Sequence, residues 1–440
     1  MNTFVLIDIS QLRVGMYIQL DLGWMHHPFP VSSFRIGSAE QIATLRELGL
    51  TSVKVLPKKS DPEFRDGLLA TPADSSGNAT DGSADSSGAP AEQPTYSSPG
   101  ESAALRRRML LAAQNASLLA CDRRFRQATK QYMSMEKLVA QQPQLAQAEG
   151  QSLVAECVTD LLENGDSAIR LLSEGVGEPG ALHPVNVMVL SLLLGKALGM
   201  KSAELHDLGV AALLHDIGKV GMPLSVAFAS PAMTPAERVK YESHVAASVA
   251  LATRMGWGKE VLATIAQHHE MVDGSGFPLQ RRASELGRSS QVVALVNHYD
   301  RMCSPVGGGA LTPHETLSII FAQHKAWFDS VVLGAFIRMM GVYPPGSIVQ
   351  LVNDRYAIVA SVNSSRPLRP RVIVHDSRIP KDEAPILDLE SVPELGIRRS
   401  LKPSQLPRDA LDYLSPRKRI CYFFERAVNS DAPDSEAQAS

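Results

Sequence analysis

Leu213-Leu-His-Asp-Ile-Gly-Lys-Val-Gly-Met-Pro223 and His268-His-Glu-Met-Val-Asp-Gly-Ser-Gly-Phe-Pro278 decide how this chain is read. In each, an apolar helical pattern runs into paired polar side chains and is then cut off by Gly and Pro. Imidazoles and a carboxylate at the ends of apolar helices are costly to bury singly, and a metal centre satisfies them together. Six of the 12 histidines fall between positions 183 and 269, which ties the two stretches into one constellation.

Working outward, His183 precedes the apolar helix that starts near Val185, and His215-Asp216 closes a helix that Gly218, Gly221 and Pro223 help to end. His244 lies within the helix after Pro235, and His268-His269 ends the next one. Separate helices can aim these side chains at one interior point, as in bundle-core metal sites. The set exceeds the needs of one tetrahedral ion and suggests two divalent ions with Asp216 bridging them. Lys219, four residues past His215, comes beside such a centre, where an ammonium can hold a phosphate oxygen. As a solvated residue it would merely complement a helix C-terminus. His26, His27, His206, His314, His324 and His375 lack such company and read as structural or surface residues.

The expected fold class is mainly α: a helical bundle with a small α+β N-terminal domain and a short C-terminal β segment. Residues 1–57 form the α+β module, with Ser38 and Gln41 as a capping box and Gly49 as a helix stop. Residues 58–103 are a Ser/Gly/Ala-rich linker with a near-repeat, Ala73 to Gly77 and Ala84 to Gly88, too polar to offset its ordering entropy. Residues 104–149 are an amphipathic helical connector. Its Leu105, Met109, Ala112, Ala116 and Leu119 make an a/d seam of about two heptads, readable as a homodimer contact or as an ordinary amphipathic face. Residues 150–341 read almost wholly helical, Thr312 to Met340 included. From Val342 the period becomes two, so residues 342–427 are a small β appendage and C-terminal segment, and 428–440 a disordered tail.

A chain of 440 residues, 44% hydrophobic, is long enough for two or three domains and a buried active site. Net charge is -3 and pI near 6.5, which excludes a nucleic-acid wrapper or a polybasic membrane binder; a small anionic ligand must be held locally. Cys121, Cys157, Cys303 and Cys421 are scattered without a disulfide framework, and the N-terminus lacks a signal pattern, so a cytoplasmic location is expected. Val185 to Met200 holds Asn186, Ser191 and Lys196 and is too short for a membrane span; it reads as a buried helix.

The two quoted stretches resemble the HD motif and the HHE…DGSGYP motif of the HD superfamily, and within it the HD-GYP cyclic di-GMP phosphodiesterases. The resemblance covers about residues 150 to 340, with Phe277 where the family usually has tyrosine. It implies that His183, His215, Asp216, His244, His268 and His269 are metal ligands, with iron or manganese as the two divalent ions. It also implies that Lys219 contacts the substrate phosphate, that Asp216 and Lys219 serve catalysis, and that Asp273, Gly274, Gly276 and Phe277 form a substrate-binding signature loop. Cyclic di-GMP would be hydrolysed to pGpG and onward to GMP, in second-messenger signalling.

Two departures stand out. Asn297 occupies the place of the family's last metal-binding aspartate, with Asp300 one turn on as a substitute ligand. Where the family has an R-P-Y-R segment, this chain has Cys303-Ser-Pro-Val-Gly-Gly-Gly309, a glycine run in place of a fixed cation, with Arg281, Arg282 or Arg288 as the compensating candidates. The alternative to an enzyme is therefore a degenerate scaffold that binds cyclic di-GMP or a GGDEF-domain partner without turnover. A hydrolase for another nucleotide is disfavoured by the D-G-S-G-F-P segment.

Overall fold

The computed structural model describes residues 4–19, 33–36, 39–47, 52–61, 99–163, 167–223, 226–228, 232–305, 309–363, 368–392 and 394–426. The expected Ser38 cap, the Gly49 stop, the Ala73 to Gly88 repeat and the 428–440 tail lie outside the described residues. The chain divides into two units, Met1–Tyr96 and Ser97–Ser440.

The first unit holds β1 (Val5–Asp8), β2 (Tyr17–Gln19), β3 (Ser33–Arg35), α1 (Ala39–Glu47) and β4 (Ser52–Val55). Its antiparallel sheet runs β1-β4-β2-β3. Alternation puts Val53 and Val55 on the face that packs with Ile7, Ile18 and Leu45 of α1.

The second unit opens with α2 (Pro99–Leu138), one continuous helix, and α3 (Pro143–Glu163). Of the expected seam, Met109, Ala112, Ala116 and Leu119 are exposed. The buried stripe of α2 is instead Cys121, Phe125, Ala128, Tyr132 and Met135, at alternating steps of four and three, continued by Val139 just past its end. This stripe belongs to the bundle core, so α2 is a wall of the domain. Then come β5 (Ser167–Leu171), α4 (Leu182–Ala197), α5 (Ser202–Leu214), α6 (Pro235–Met255), α7 (Lys259–Gln267), α8 (Arg288–Cys303), α9 (Pro313–Ala322) and α10 (Ser330–Met340). The expected single helix from Thr312 to Met340 is thus two, separated by a short turn over Lys325–Trp327. Asp329 caps the second by accepting from the N–H groups of Val331 and Val332.

Helix α4 is the axis: Pro184 through Gly195 are all buried, and it packs against α5, α8, α10 and the last strand. With the turn that precedes it, Pro179–Ala197 is long and apolar enough to cross a membrane, but most of it is enclosed by the bundle, as expected of a buried helix.

The C-terminal part contributes β6 (Ile348–Leu351), β7 (Tyr356–Asn363), β8 (Arg371–Val374), β9 (Ile386–Asp388), β10 (Ile397–Leu401), α11 (Arg408–Leu414) and β11 (Tyr422–Arg426). The sheet order is β10-β6-β7-β5-β11, with β8 and β9 continuing from β7. Here the expectation needs correction: β5 comes from the stretch read as helical, and it lies between β7 and β11. All five of its residues are buried, so it lacks the alternation that marks a half-exposed strand. The sheet is therefore no appendage but is built into the bundle, and β11 packs on α4.

Candidate metal centre

Each histidine is delivered by a helix end or an anchored ring. Helix α5 stops at His215 because Gly218 and Gly221 follow, the latter at φ +82°. Helix α6 starts on a Thr234/Glu237 capping box with Pro235 in its first turn, ends at Gly256 with φ +91°, and carries His244 on its buried face. Helix α7 ends at His268, and α4 begins around His183.

The ring nitrogens are then sorted by their partners. His215 Nδ1 donates to Ala212 O (2.7 Å), His244 Nδ1 to Tyr241 O (2.5 Å) and His268 Nδ1 to Ile265 O (2.7 Å). His183 Nδ1 donates to the Asp300 carboxylate (2.6 Å). Since carbonyl and carboxylate oxygens only accept, each Nδ1 carries a proton and each ring turns its Nε2 inward. His183 and His215 bring those Nε2 atoms to 3.2 Å, and His244 and His268 to 3.3 Å. Lone pairs at that separation repel unless a proton or a metal cation lies between them.

Asp216 sits at the junction. Its Oδ1 is buried without a hydrogen-bond partner, 3.2 Å from His244 Nε2 and 3.6 Å from His268 Nε2. Its Oδ2 lies 3.4 Å from His215 Nε2 and 3.5 Å from His183 Nε2. Two groups of donors result: Asp216 with His244, His268 and His269, and Asp216 with His183 and His215. Within each, the ligand atoms lie within 4.8 Å of one another. An orphaned carboxylate oxygen and converging imidazole lone pairs fit a divalent ion.

Electrostatics agree. Burial pushes His268 down to about 3 and, with its neighbours His268 and Arg301, holds His269 well below the usual imidazole range; burial also lowers His215. Burial opposes the charged form of Asp216, but Lys219, His215 and Arg301 outweigh it and hold the carboxyl well below its ordinary range. Lys219 donates to Asp216 Oδ2 at 2.7 Å and lies over the Tyr241 ring. Burial lowers it to about 8 despite the carboxylate.

Asn297 and Asp300, expected as ligands, are placed differently. Asn297 Oδ1 accepts from Arg301 Nε (2.8 Å). Asp300 takes no place in either donor group. Its carboxylate is saturated by His183 Nδ1, Asn186 Nδ2 (2.5 Å) and Arg419 (3.1 Å), so it orients His183 from behind.

In the signature loop, Asp273 is exposed and closes the turn on itself through Ser275 N and Oγ. Gly274 takes φ +82°. A Cβ at Gly276 would fall 2.4 Å from His269 O, so only glycine lets the loop lie on the His doublet. Phe277 stacks on His269 (4.3 Å between ring centres). Buried Glu270 holds the loop by accepting from Leu279 N and Arg281 N.

Three participants escaped the sequence reading. Arg301 bonds Asp216 Oδ2 (2.8 Å), Tyr241 OH (2.7 Å) and Asn297, so a fixed cation stands at the site despite the glycine run after Cys303. Its only signal was adjacency to Asp300 and the i, i+4 spacing from Asn297. Arg419 and Tyr241 gave none. A cavity of about 460 Å³ opens beside His183, Asp216, Lys219, Arg301 and Arg419, walled by Leu182, Phe228 and Tyr132. A second, of about 380 Å³, lies across Arg301 beside Tyr241, His269 and Phe277.

The fold and this centre define an HD-domain protein. Residues 133–332 match the HD domain family, and residues 5–149 match a domain of unknown function (DUF3391). The chain is 26% identical over 392 residues to cyclic di-GMP phosphodiesterase PA4108 of Pseudomonas aeruginosa, covering 87% of this chain and 88% of the relative. It is 22% identical over 231 residues to cyclic di-GMP phosphodiesterase PdeB of Borreliella burgdorferi (51% and 60% covered). Among solved structures it is similar to Bd1817, an HDG"Y"P protein of Bdellovibrio bacteriovorus, at 15% identity and TM-score 0.41, over 76% of this chain and 98% of that one. Residues 133–332 are thus an HD domain, and the chain's similarity to cyclic di-GMP phosphodiesterases supports a hydrolase.

Proposed function

We propose that this chain hydrolyses cyclic di-GMP to linear pGpG, and onward to GMP, using divalent ions of the iron or manganese kind at the two donor groups that share Asp216. The observation that carries this reading is the cluster of inward Nε2 lone pairs around the orphaned Asp216 Oδ1, bordered by Lys219 and Arg301. The similarity to the cyclic di-GMP phosphodiesterases PA4108 and PdeB supports the choice of substrate. Bound ions would acidify water and neutralise charge developing on the phosphoryl oxygens. The chain's own residues do the rest. Lys219 and Arg301 draw a phosphodiester to the cavity mouth, and Lys219 holds a non-bridging oxygen there. His183, kept in one tautomer by Asp300, and the rings anchored on backbone carbonyls stay oriented without reorganisation. Leu182, Phe228 and Tyr132 offer apolar surface for a base. A chain with a net charge of -3 must gather its cations locally to attract a doubly anionic ligand, and here they line the cavity.

The test is chromatography of cyclic di-GMP incubated with the manganese- or iron-loaded protein, against His215→Ala/Asp216→Ala. The wild type should release pGpG, and the double variant should lose metal and turnover while keeping its helix content. A fully loaded wild type that binds cyclic di-GMP without releasing product would establish the scaffold alternative instead.

A further inference from the structure

The two oxygens of Asp216 are in different states. Oδ1 has no hydrogen-bond partner and faces His244 and His268. Oδ2, which faces His183 and His215, already accepts from Lys219 Nζ at 2.7 Å and Arg301 Nη2 at 2.8 Å. An ion joining His183 and His215 through Oδ2 must therefore displace a cationic N–H donor. Lys219 sits at the end of a flexible stem and can swing away. Arg301 cannot do so cheaply. Its planar group is fixed at three points, Nε on Asn297 Oδ1, Nη1 on Tyr241 Oη and Nη2 on Asp216, and its side chain is only 25% exposed.

Asn297 is part of the same arrangement. Its neutral amide oxygen lies toward Arg301, one turn before it on α8, so it neither brings a negative charge to draw a second ion nor leaves its oxygen free to bind one. Resting on the metal-centre reading above, we infer that Arg301 is a protein-borne cation that takes the place of the second ion's charge on Asp216 Oδ2. The centre then binds one ion tightly through His244, His268, His269 and Oδ1, and a second only weakly through His183 and His215. Arg301 is thereby a positioning residue that sets how many ions the centre keeps, and its fixed charge faces the same cavity as Lys219.

Titration calorimetry with Mn²⁺ on chelator-stripped full-length protein, together with metal analysis after dialysis, tests this without any turnover assay. The wild type should retain about one ion per chain and show a second event at least ~100-fold weaker, since a cation within ~4 Å opposes another. Arg301→Met, which keeps the length and removes the charge, should tighten the second event by at least ~10-fold and raise the retained metal toward two. Asn297→Asp alone should change the second event little, because Arg301 would pair with the new carboxylate; Asn297→Asp/Arg301→Met should tighten it most. Two equally tight ions in the wild type overturn the inference without recourse to any variant, and so does an Arg301→Met protein, folded by circular dichroism, whose second event is unchanged. A wild type that takes no ion at either group defeats the metal-centre reading itself. The inference about Arg301 alone fails when the first ion binds, is lost in His244→Ala, and the second matches it.

Discussion

Replacing Gly218 with alanine perturbs the centre without touching a candidate ligand. Gly218 lies in the short turn over Ile217–Lys219, between Asp216 and Lys219, and its N–H donates to Ser248 Oγ at 2.8 Å. An added Cβ would stand 2.3 Å from His244 O and 2.4 Å from Ser248 N, both backbone atoms of α6. Ordinary contact begins at 3.4 Å, so the turn and α6 must separate by 3.4 − 2.3, about 1.1 Å. That displacement falls between Asp216 on one side and His244 on the other. Overpacking of this kind costs roughly 1–3 kcal/mol of stability. A shift of about 1 Å at a reacting centre costs on the order of 10²-fold in rate. Gly221→Ala is the control: Gly221 has φ +82° but nothing within 4 Å of the added Cβ, so it should lose about 1 kcal/mol and keep its metal. Thermal unfolding and Mn²⁺ affinity of the two variants are the readouts. Equal metal affinity in Gly218→Ala and wild type would refute the argument that this close approach sets the distance between Asp216 and His244.

Two further outcomes are expected. Asp300→Asn should weaken the ion at His183 and His215 by about 10–100-fold, as loss of an orienting partner does, and leave the ion at His244 and His268 in place; unchanged affinity at both would show that Asp300 orients nothing. A fragment starting at Gly150 should fail to fold cooperatively. It lacks Phe125, Tyr132, Met135 and Val139, and at roughly 1.5–3 kcal/mol for each large buried side chain the loss of about 6–12 kcal/mol approaches a domain's whole stability. Circular dichroism melts of residues 150–440 and 97–440 decide it, and a cooperative transition of the shorter fragment at the same temperature would contradict the role given to α2.

The centre was legible because its ligands come as doublets at the ends of apolar helices, where Gly and Pro fix both position and register. His183, His215, Asp216, His244, His268 and His269 all stand together, although they span 87 residues of sequence, His183 to His269. Position along the motif could not reveal direction: Asp300 is close to the centre but spends its charge on His183, Asn186 and Arg419. Arg301 carries no periodic signal, and its role depends on three partners from three helices or helix ends. The face of α2 that packs in the bundle was missed because Leu105 to Leu119 has the more regular apolar spacing, whereas the covered stripe lies further along the helix, from Cys121 to Met135. Strand β5 was hidden because five residues, Ser167-Ala-Ile-Arg-Leu171, are too few to separate strand from helix, and its pairing partners are nearly 200 residues or more away.

The most direct measurement is hydrolysis of cyclic di-GMP by chelator-stripped protein as Mn²⁺ or Fe²⁺ is returned, with bound metal and product measured in the same samples. The account predicts no turnover without metal, product rising as the ions are bound, and neither binding nor product in His244→Ala/His268→Ala. Undiminished turnover by the stripped protein, or a fully loaded protein that releases no pGpG, would contradict it.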